Sequence, residues 1–161
     1  MSVEFGKISI EPAQKSDITQ LTKIMTNAYE SLSNLYLNKK LGPPGYNSEL
    51  AHAEWYVRGD YYKILCNGIL IGGFILEYFQ EMILLGMMFI DPPYQHKGIG
   101  SYALKYIEHL SSNISQIEAN TPEWAIQNQQ FYIRNGYKHV DSYFDEILGF
   151  TLFFYLKHIK K

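Results

Sequence analysis

Nine consecutive residues, Met82–Ile90, are apolar or glycine, and the run stops at Asp91-Pro92-Pro93. The run lacks alternation and falls far short of the ~20 residues a membrane-spanning helix needs. It therefore reads as a strand buried on both faces, in the middle of a sheet. Neither proline can donate a ladder hydrogen bond, so the strand ends there.

The neighbouring segments supply partners for such a strand. Asn67-Gly68 separates the strand-like runs Tyr61–Cys66 and Ile69–Tyr78, a strong hairpin signal. Gln80-Glu81 joins the second run to Met82–Ile90, which gives an antiparallel meander. Upstream, Lys7–Pro12 alternates as a strand. Asp17 with Gln20 then forms a capping-box pattern for a helix running to about Ser31, whose apolar face carries Ile18, Leu21, Ile24, Met25, Ala28 and Leu32. Leu41–Tyr46 has loop chemistry, and a short helix is expected around Glu49–Val57. Downstream, Ile99, Ala103, Tyr106, Ile107 and Leu110 mark one face of a third helix. Ser115–Asn120 reads as a strand. Thr121 and Pro122 fit the N-cap and first position of a fourth helix, with Gly136 past its end. Tyr137–Phe144 and Gly149–His158 are the last two strands. The 161 residues fit one domain, with 47% hydrophobic residues available for a core.

Charge and composition remove several function classes. A net charge of -2 provides no basic field for nucleic acid, and Lys157, Lys160 and Lys161 form only a short tail. No apolar run can span a membrane, and the N-terminus lacks a secretory pattern, so a cytoplasmic protein is expected. The single cysteine, Cys66, lies in an apolar run and reads as a buried thiol. The five histidines are dispersed without ligand spacing, so no metal is expected.

Between the apolar strand and the third helix lies Gln95-His96-Lys97-Gly98-Ile99-Gly100. Gly98 and Gly100 permit conformations and approaches that a Cβ obstructs. The helix start offers unpaired N–H groups and the positive end of a dipole, suited to phosphate, with Lys97 and His96 at the rim. Two glycines by themselves fit an ordinary strand-to-helix connection equally well. The string is not a P-loop, and its place after an antiparallel meander argues against a dinucleotide-binding unit.

Asp91, Pro92, Gln95, Gly98 and Gly100, followed by Ile99 and Leu104 in the helix, resemble the cofactor motif of the GCN5-related N-acetyltransferase (GNAT) superfamily. Phe131-Tyr132 and Gly136-Tyr137 resemble its later motif, and the element order matches from Lys7 to His158. The resemblance implies an α/β fold: a mixed, mostly antiparallel central sheet of six to seven strands, flanked by about four helices. A splayed strand pair would hold acetyl-CoA as co-substrate. Met88, Phe89 and Ile90 would meet pantetheine and the thioester through their backbone. Gln95, His96, Lys97, Gly98, Ile99, Gly100 and Ser101 would surround the pyrophosphate.

The implied activity is direct acetyl transfer to a primary amine of a small molecule or peptide within a ternary complex. Tyr132 matches the family's general acid, since a phenol with pKa about 10 stays protonated at neutral pH. The family asparagine seven residues before it is replaced by Ala125, and Asn128, one helical turn on, is the substitute contact. Glu77 and Glu118 are the candidate general bases, because Asn120 stands where some members carry glutamate; a water chain is the alternative. Tyr29, Tyr36, Tyr46, Trp55, Tyr56, Tyr143 and Phe150 are candidates for an aromatic acceptor pocket. The acceptor itself is open, and a homodimer is compatible with such a fold. A non-catalytic acyl-CoA sensor is the alternative function.

Overall fold

The computed structural model describes residues 6–110 and 112–159. Residues 1–5, on which the N-terminal expectation partly rests, and Lys160 and Lys161 of the basic tail lie outside the described residues. Seven strands form one sheet: β1 (Ile8–Pro12), β2 (Asp60–Cys66), β3 (Ile69–Phe79), β4 (Met82–Ile90), β5 (Gln116–Pro122), β6 (Lys138–Asp145) and β7 (Phe150–His158). Their spatial order is β1-β2-β3-β4-β5-β7-β6. All neighbours are antiparallel except β4 and β5. The four helices are α1 (Ile18–Leu37), α2 (Glu49–Arg58), α3 (Ile99–Glu108) and α4 (Ile126–Arg134). The mixed α/β architecture and element order are those the sequence implies.

Local chemistry explains most boundaries. Asn67 and Gly68 have φ of 51° and 79°, the left-handed pair that a two-residue hairpin turn requires. Helix α2 starts where the Ser48 hydroxyl accepts from the Ala51 N–H at 3.2 Å. Asp17 departs from the expected cap. A 3₁₀ turn over Lys15–Asp17 precedes α1, and the Asp17 carboxylate instead accepts from the Gln14 N–H and the Lys63 ammonium, each at 2.8 Å.

Two further boundaries correct the expectation. Helix α1 continues past Ser31 to Leu37, ending at left-handed Asn38. Beyond Ser31 the helix is held by the loop that follows it: the buried Ser33 hydroxyl donates to the Lys39 carbonyl and accepts from the Leu41 N–H, both at 2.8 Å. Thr121 and Pro122 do not begin α4. They extend β5 opposite Phe153 and Leu152 of β7, and α4 starts at Ile126. Long-range pairing outweighs the local capping signal at that point.

The sheet divides the core in two. One cluster packs Leu21, Met25 and Ala28 of α1 against Tyr61, Ile75 and Phe89. The other packs Ile99, Ala103, Leu104 and Ile107 of α3, with Tyr132 of α4, against Ile71, Ile83, Leu85 and Ile117. Burial of both faces accounts for the uninterrupted apolar character of β4.

His52 of α2 is fully buried at the edge of the first cluster. Its Nε2 lies 2.9 Å from the Tyr46 carbonyl, which only accepts, so Nε2 carries the proton. Nδ1 therefore accepts from the Tyr61 hydroxyl at 2.8 Å. Burial pushes the pKa of this imidazole below its usual value, outweighing the Tyr46 carbonyl and Glu49, which favour the cation. The unfolded chain thus takes up a proton before the folded one does. Stability contributed by neutral His52 is full above pH about 6.5 and declines as pH falls through the lower folded-state value, by at most about 1.4 kcal/mol per pH unit. Urea unfolding between pH 5 and 8 should show this slope in the native chain and its loss in His52→Gln.

Candidate functional site

The site begins with an irregularity in β4. Ile75 and Leu76 of β3 face Met87 and Leu85, which leaves Gly86 as an extra, bulged residue. The bulge reverses the alternation of the strand. Ile83 and Leu85 belong to the α3 side, and beyond Gly86 it is Met88 and Ile90 that pack there, while Met87 and Phe89 turn to α1. Pairing of β4 with β5 covers only Met82–Leu85 against Gln116–Ala119. Past that point β4 continues with β3 alone, while β5 follows β7. The two parallel strands therefore diverge into a gap.

Register determines which backbone groups line this gap. The Asp91 N–H donates to the Ile71 carbonyl at 2.8 Å, so that pair is hydrogen-bonded. Alternation makes Gly73–Phe89 hydrogen-bonded as well, and Phe74–Met88 and Gly72–Ile90 not. The N–H and C=O groups of Met88 and Ile90 are thus directed away from β3, toward the gap. The Ile90 carbonyl accepts from Gln95 Nε2 at 2.7 Å, which ties the loop to the strand end.

A 3₁₀ turn over Pro92–Tyr94 leads into the loop, where His96 has φ 61° and Gly98, the N-cap of α3, φ 84°. Gly98 is required by that left-handed backbone. Gly100 is favoured by proximity: a Cβ there would lie 3.0 Å and 3.1 Å from two ring atoms of Phe131, which would have to shift. The first intrahelical bond runs from the Tyr102 N–H to the Gly98 carbonyl at 3.0 Å, so the preceding N–H groups of the first turn have no intrahelical acceptor.

Helix α4 forms the opposite wall. Asn128 Nδ2 donates to Thr121 Oγ1 at 3.2 Å, and Lys157 Nζ donates to the Asn135 carbonyl at 2.9 Å and pairs with Glu108 at 2.6 Å. These contacts clamp both ends of the helix. Tyr132 sits between them, its ring stacked on Tyr155 (centroids 5.7 Å) and edge-on to Tyr137 (5.6 Å). Burial pushes the Tyr132 phenol pKa well above the usual range, so the group stays protonated. From α1, the Tyr36 hydroxyl accepts from the Gln127 N–H at 3.0 Å, which joins the two walls.

The resulting cleft has a volume of about 430 Å³. Among the expected residues it brings together Met88, Phe89, Ile90, Gln95, His96, Gly98, Ile99, Gly100, Ser101, Asn128 and Tyr132. Lys97, Glu77 and Glu118 do not line it. Both glutamates flank Leu84, one from each neighbouring strand, four residues or roughly 13 Å of strand before Met88. Among the described residues none that lines the cleft carries a carboxylate, whereas the Arg134 guanidinium does line it, so its field favours anions.

The aromatic pocket expected for the acceptor is not assembled from all seven rings. Tyr46, Trp55 and Tyr56 pack into the α1 core, Tyr36 and Phe150 flank Trp124, and Tyr143 is exposed. Of the seven, only Tyr29 lines the cleft. Tyr94, Phe131 and Arg134 line it too and were not singled out as site residues. The adjacency of Phe131 to Tyr132 was the available signal for one of them.

Residues 52–139, more than half of the chain, match the family model of the acetyltransferase (GNAT) domain. The chain belongs to the GCN5-related N-acetyltransferase family. Among its relatives is the uncharacterized protein YrkN of Bacillus subtilis, 23% identical over 143 residues, which span 87% of this chain and 77% of that protein. The fold is similar to that of the PaiA N-acetyltransferase of Thermoplasma acidophilum in complex with coenzyme A: TM-score 0.78, 18% identity, 94% of this chain and 99% of that one. It is also similar to the ribosomal-protein-S18-alanine N-acetyltransferase of Escherichia coli (TM-score 0.75, 15% identity, 96% of each chain). A third similar structure, from Salmonella typhimurium, is a putative acetyltransferase with its cofactor acetyl-CoA (TM-score 0.66, 14% identity, 96% of this chain and 95% of that one).

Proposed function

We propose that this chain is an acetyl-CoA-dependent N-acetyltransferase that passes acetyl directly to a primary amine of a small molecule or peptide in a ternary complex. The supporting observation is the divergence of β4 from β5, which leaves the Met88 and Ile90 backbone unpaired by the sheet beside Tyr132, at the foot of the glycine loop. Pantetheine would lie in the gap against Met88, Phe89 and Ile90, with the pyrophosphate over residues from Gln95 to Ser101. Arg134 reinforces the positive field there. Asn128 takes the place of the asparagine missing at Ala125.

In this reading acetyl-CoA supplies an activated acyl group. The protein aligns it, excludes water and provides Tyr132 to protonate the departing thiolate. With no carboxylate among the described residues that line the cleft, the amine gives up its proton through water rather than directly to Glu77 or Glu118. One domain acting in the cytoplasm is part of the proposal. Among the described residues no helix is long and apolar enough to cross a membrane.

A panel of amines covering amino acids, arylamines, aminoglycosides and peptide N-termini tests the reading through release of free coenzyme A thiol. The expected result is amine-dependent thiol release with at least one class. Acetyl-CoA binding without release across the panel would favour the sensor instead.

A further inference from the structure

Tyr29 of α1 occupies a place the proposed chemistry has not yet used. It lines the cleft together with Met88 and Tyr132. The β3–β4 register turns the Met88 N–H away from the sheet, toward the cleft that Tyr29 lines. Among the described residues no group accepts the proton of the Tyr29 hydroxyl. The ring is held by its surroundings. It packs against the cluster containing Phe89 and Met87 and meets Tyr46 edge-on at 6.4 Å. Tyr46 is itself anchored by donating to Glu30 Oε1 at 2.9 Å. A phenol fixed in this way has its one free hydrogen available to the cleft. Burial, with Tyr132 close enough to add to the effect, pushes its pKa up, so the proton is retained.

Resting on the acetyltransferase reading, we propose that Tyr29 is a catalytic residue whose hydroxyl donates a hydrogen bond to the thioester carbonyl oxygen as negative charge develops there. The two phenols come from opposite faces of the sheet, Tyr29 from α1 and Tyr132 from α4, and the acyl carbon lies in the gap between them. The amine nitrogen forms a bond to that carbon, and the carbonyl electron pair moves to the oxygen held by Tyr29. When the carbonyl re-forms, the carbon–sulfur bond breaks with its pair on sulfur. Tyr132 passes its proton to the thiolate, and the proton lost from the amine leaves to water and restores Tyr132. Tyr29 keeps its own proton throughout.

Tyr29→Phe retains the ring and its packing, so it separates this role from a structural one. Turnover should fall about 10²-fold, with acetyl-CoA affinity and melting temperature unchanged. Infrared spectra of bound acetyl-CoA, isotopically labelled at the thioester carbonyl, should show the carbonyl stretch shifted to lower frequency in the native chain. Most of that shift should disappear in the variant. A stretch equally shifted in Tyr29→Phe overturns the proposal, and so does turnover that is unchanged or faster; the last would mean that the hydroxyl blocks the acyl position. If the native chain does not bind acetyl-CoA, the acetyltransferase reading fails and this proposal fails with it. Native binding and turnover with no effect of the substitution reject Tyr29 alone.

Discussion

Replacing Tyr132 with phenylalanine is expected to lower the turnover of acetyl transfer by about 10²-fold or more while leaving the protein folded and able to bind acetyl-CoA. The ring of Tyr132 is 8% exposed and packs on Phe131, Tyr137 and Tyr155 at centroid distances of 5.3, 5.6 and 5.7 Å, all of which phenylalanine preserves. Its hydroxyl has no hydrogen-bond partner among the described residues, so the substitution leaves no buried group unsatisfied. Thermal unfolding should therefore shift little. Turnover should respond because a departing thiolate without a proton donor is a poor leaving group. Steady-state kinetics, with acetyl-CoA affinity measured separately, check the outcome: turnover equal to that of the native chain would remove Tyr132 from the chemistry.

Gly100→Val should act on binding instead. A Cβ at Gly100 would sit 3.0 Å from Phe131 and 3.7 Å from Ile90 Cδ1, and the additional methyl groups of valine crowd this contact further. Phe131 must move, and it lines the same cleft as Asn128 and Tyr132. Overpacking of this kind costs about 1–3 kcal/mol. With Phe131 displaced into the space acetyl-CoA would fill, the same cost set against binding weakens acetyl-CoA by roughly 5- to 150-fold. The thermal stabilisation that acetyl-CoA confers on the native chain should shrink accordingly. Undiminished stabilisation would show that the space beside Gly100 is not part of the cofactor site.

These two positions differ in how they relate to the sequence. Gly100 follows from the local chemistry of a strand-to-helix turn, whereas Tyr132 is picked out by the resemblance of Phe131-Tyr132 and Gly136-Tyr137 to a family motif. The hairpin at Asn67-Gly68, the termination of β4 at Asp91-Pro92-Pro93 and the start of α3 at Gly98 are also local, because φ restrictions and missing donors act within a few residues. The end of α1 and the start of α4 are not local, because Ser33 bonds to a loop six to eight residues away and Thr121 pairs with a strand about thirty residues away.

The apolar run Met82–Ile90 shows the same division within one strand. Its burial on both faces follows from composition, since a nine-residue stretch with no polar side chain has no face to give to water. Its bulge at Gly86 does not follow, because a bulge is a mismatch in register between two strands and neither strand encodes it alone. That mismatch sends Met88 and Ile90 to the α3 side and Phe89 to α1. With β4 and β5 no longer paired beyond Leu85, the Met88 backbone opens onto the cleft that Tyr29, nearly sixty residues earlier in the chain, also lines. Periodicity and turn chemistry are carried by neighbouring residues and can be read in order. The cleft is made by pairing and packing between distant segments, and those relations exist only once the chain has folded.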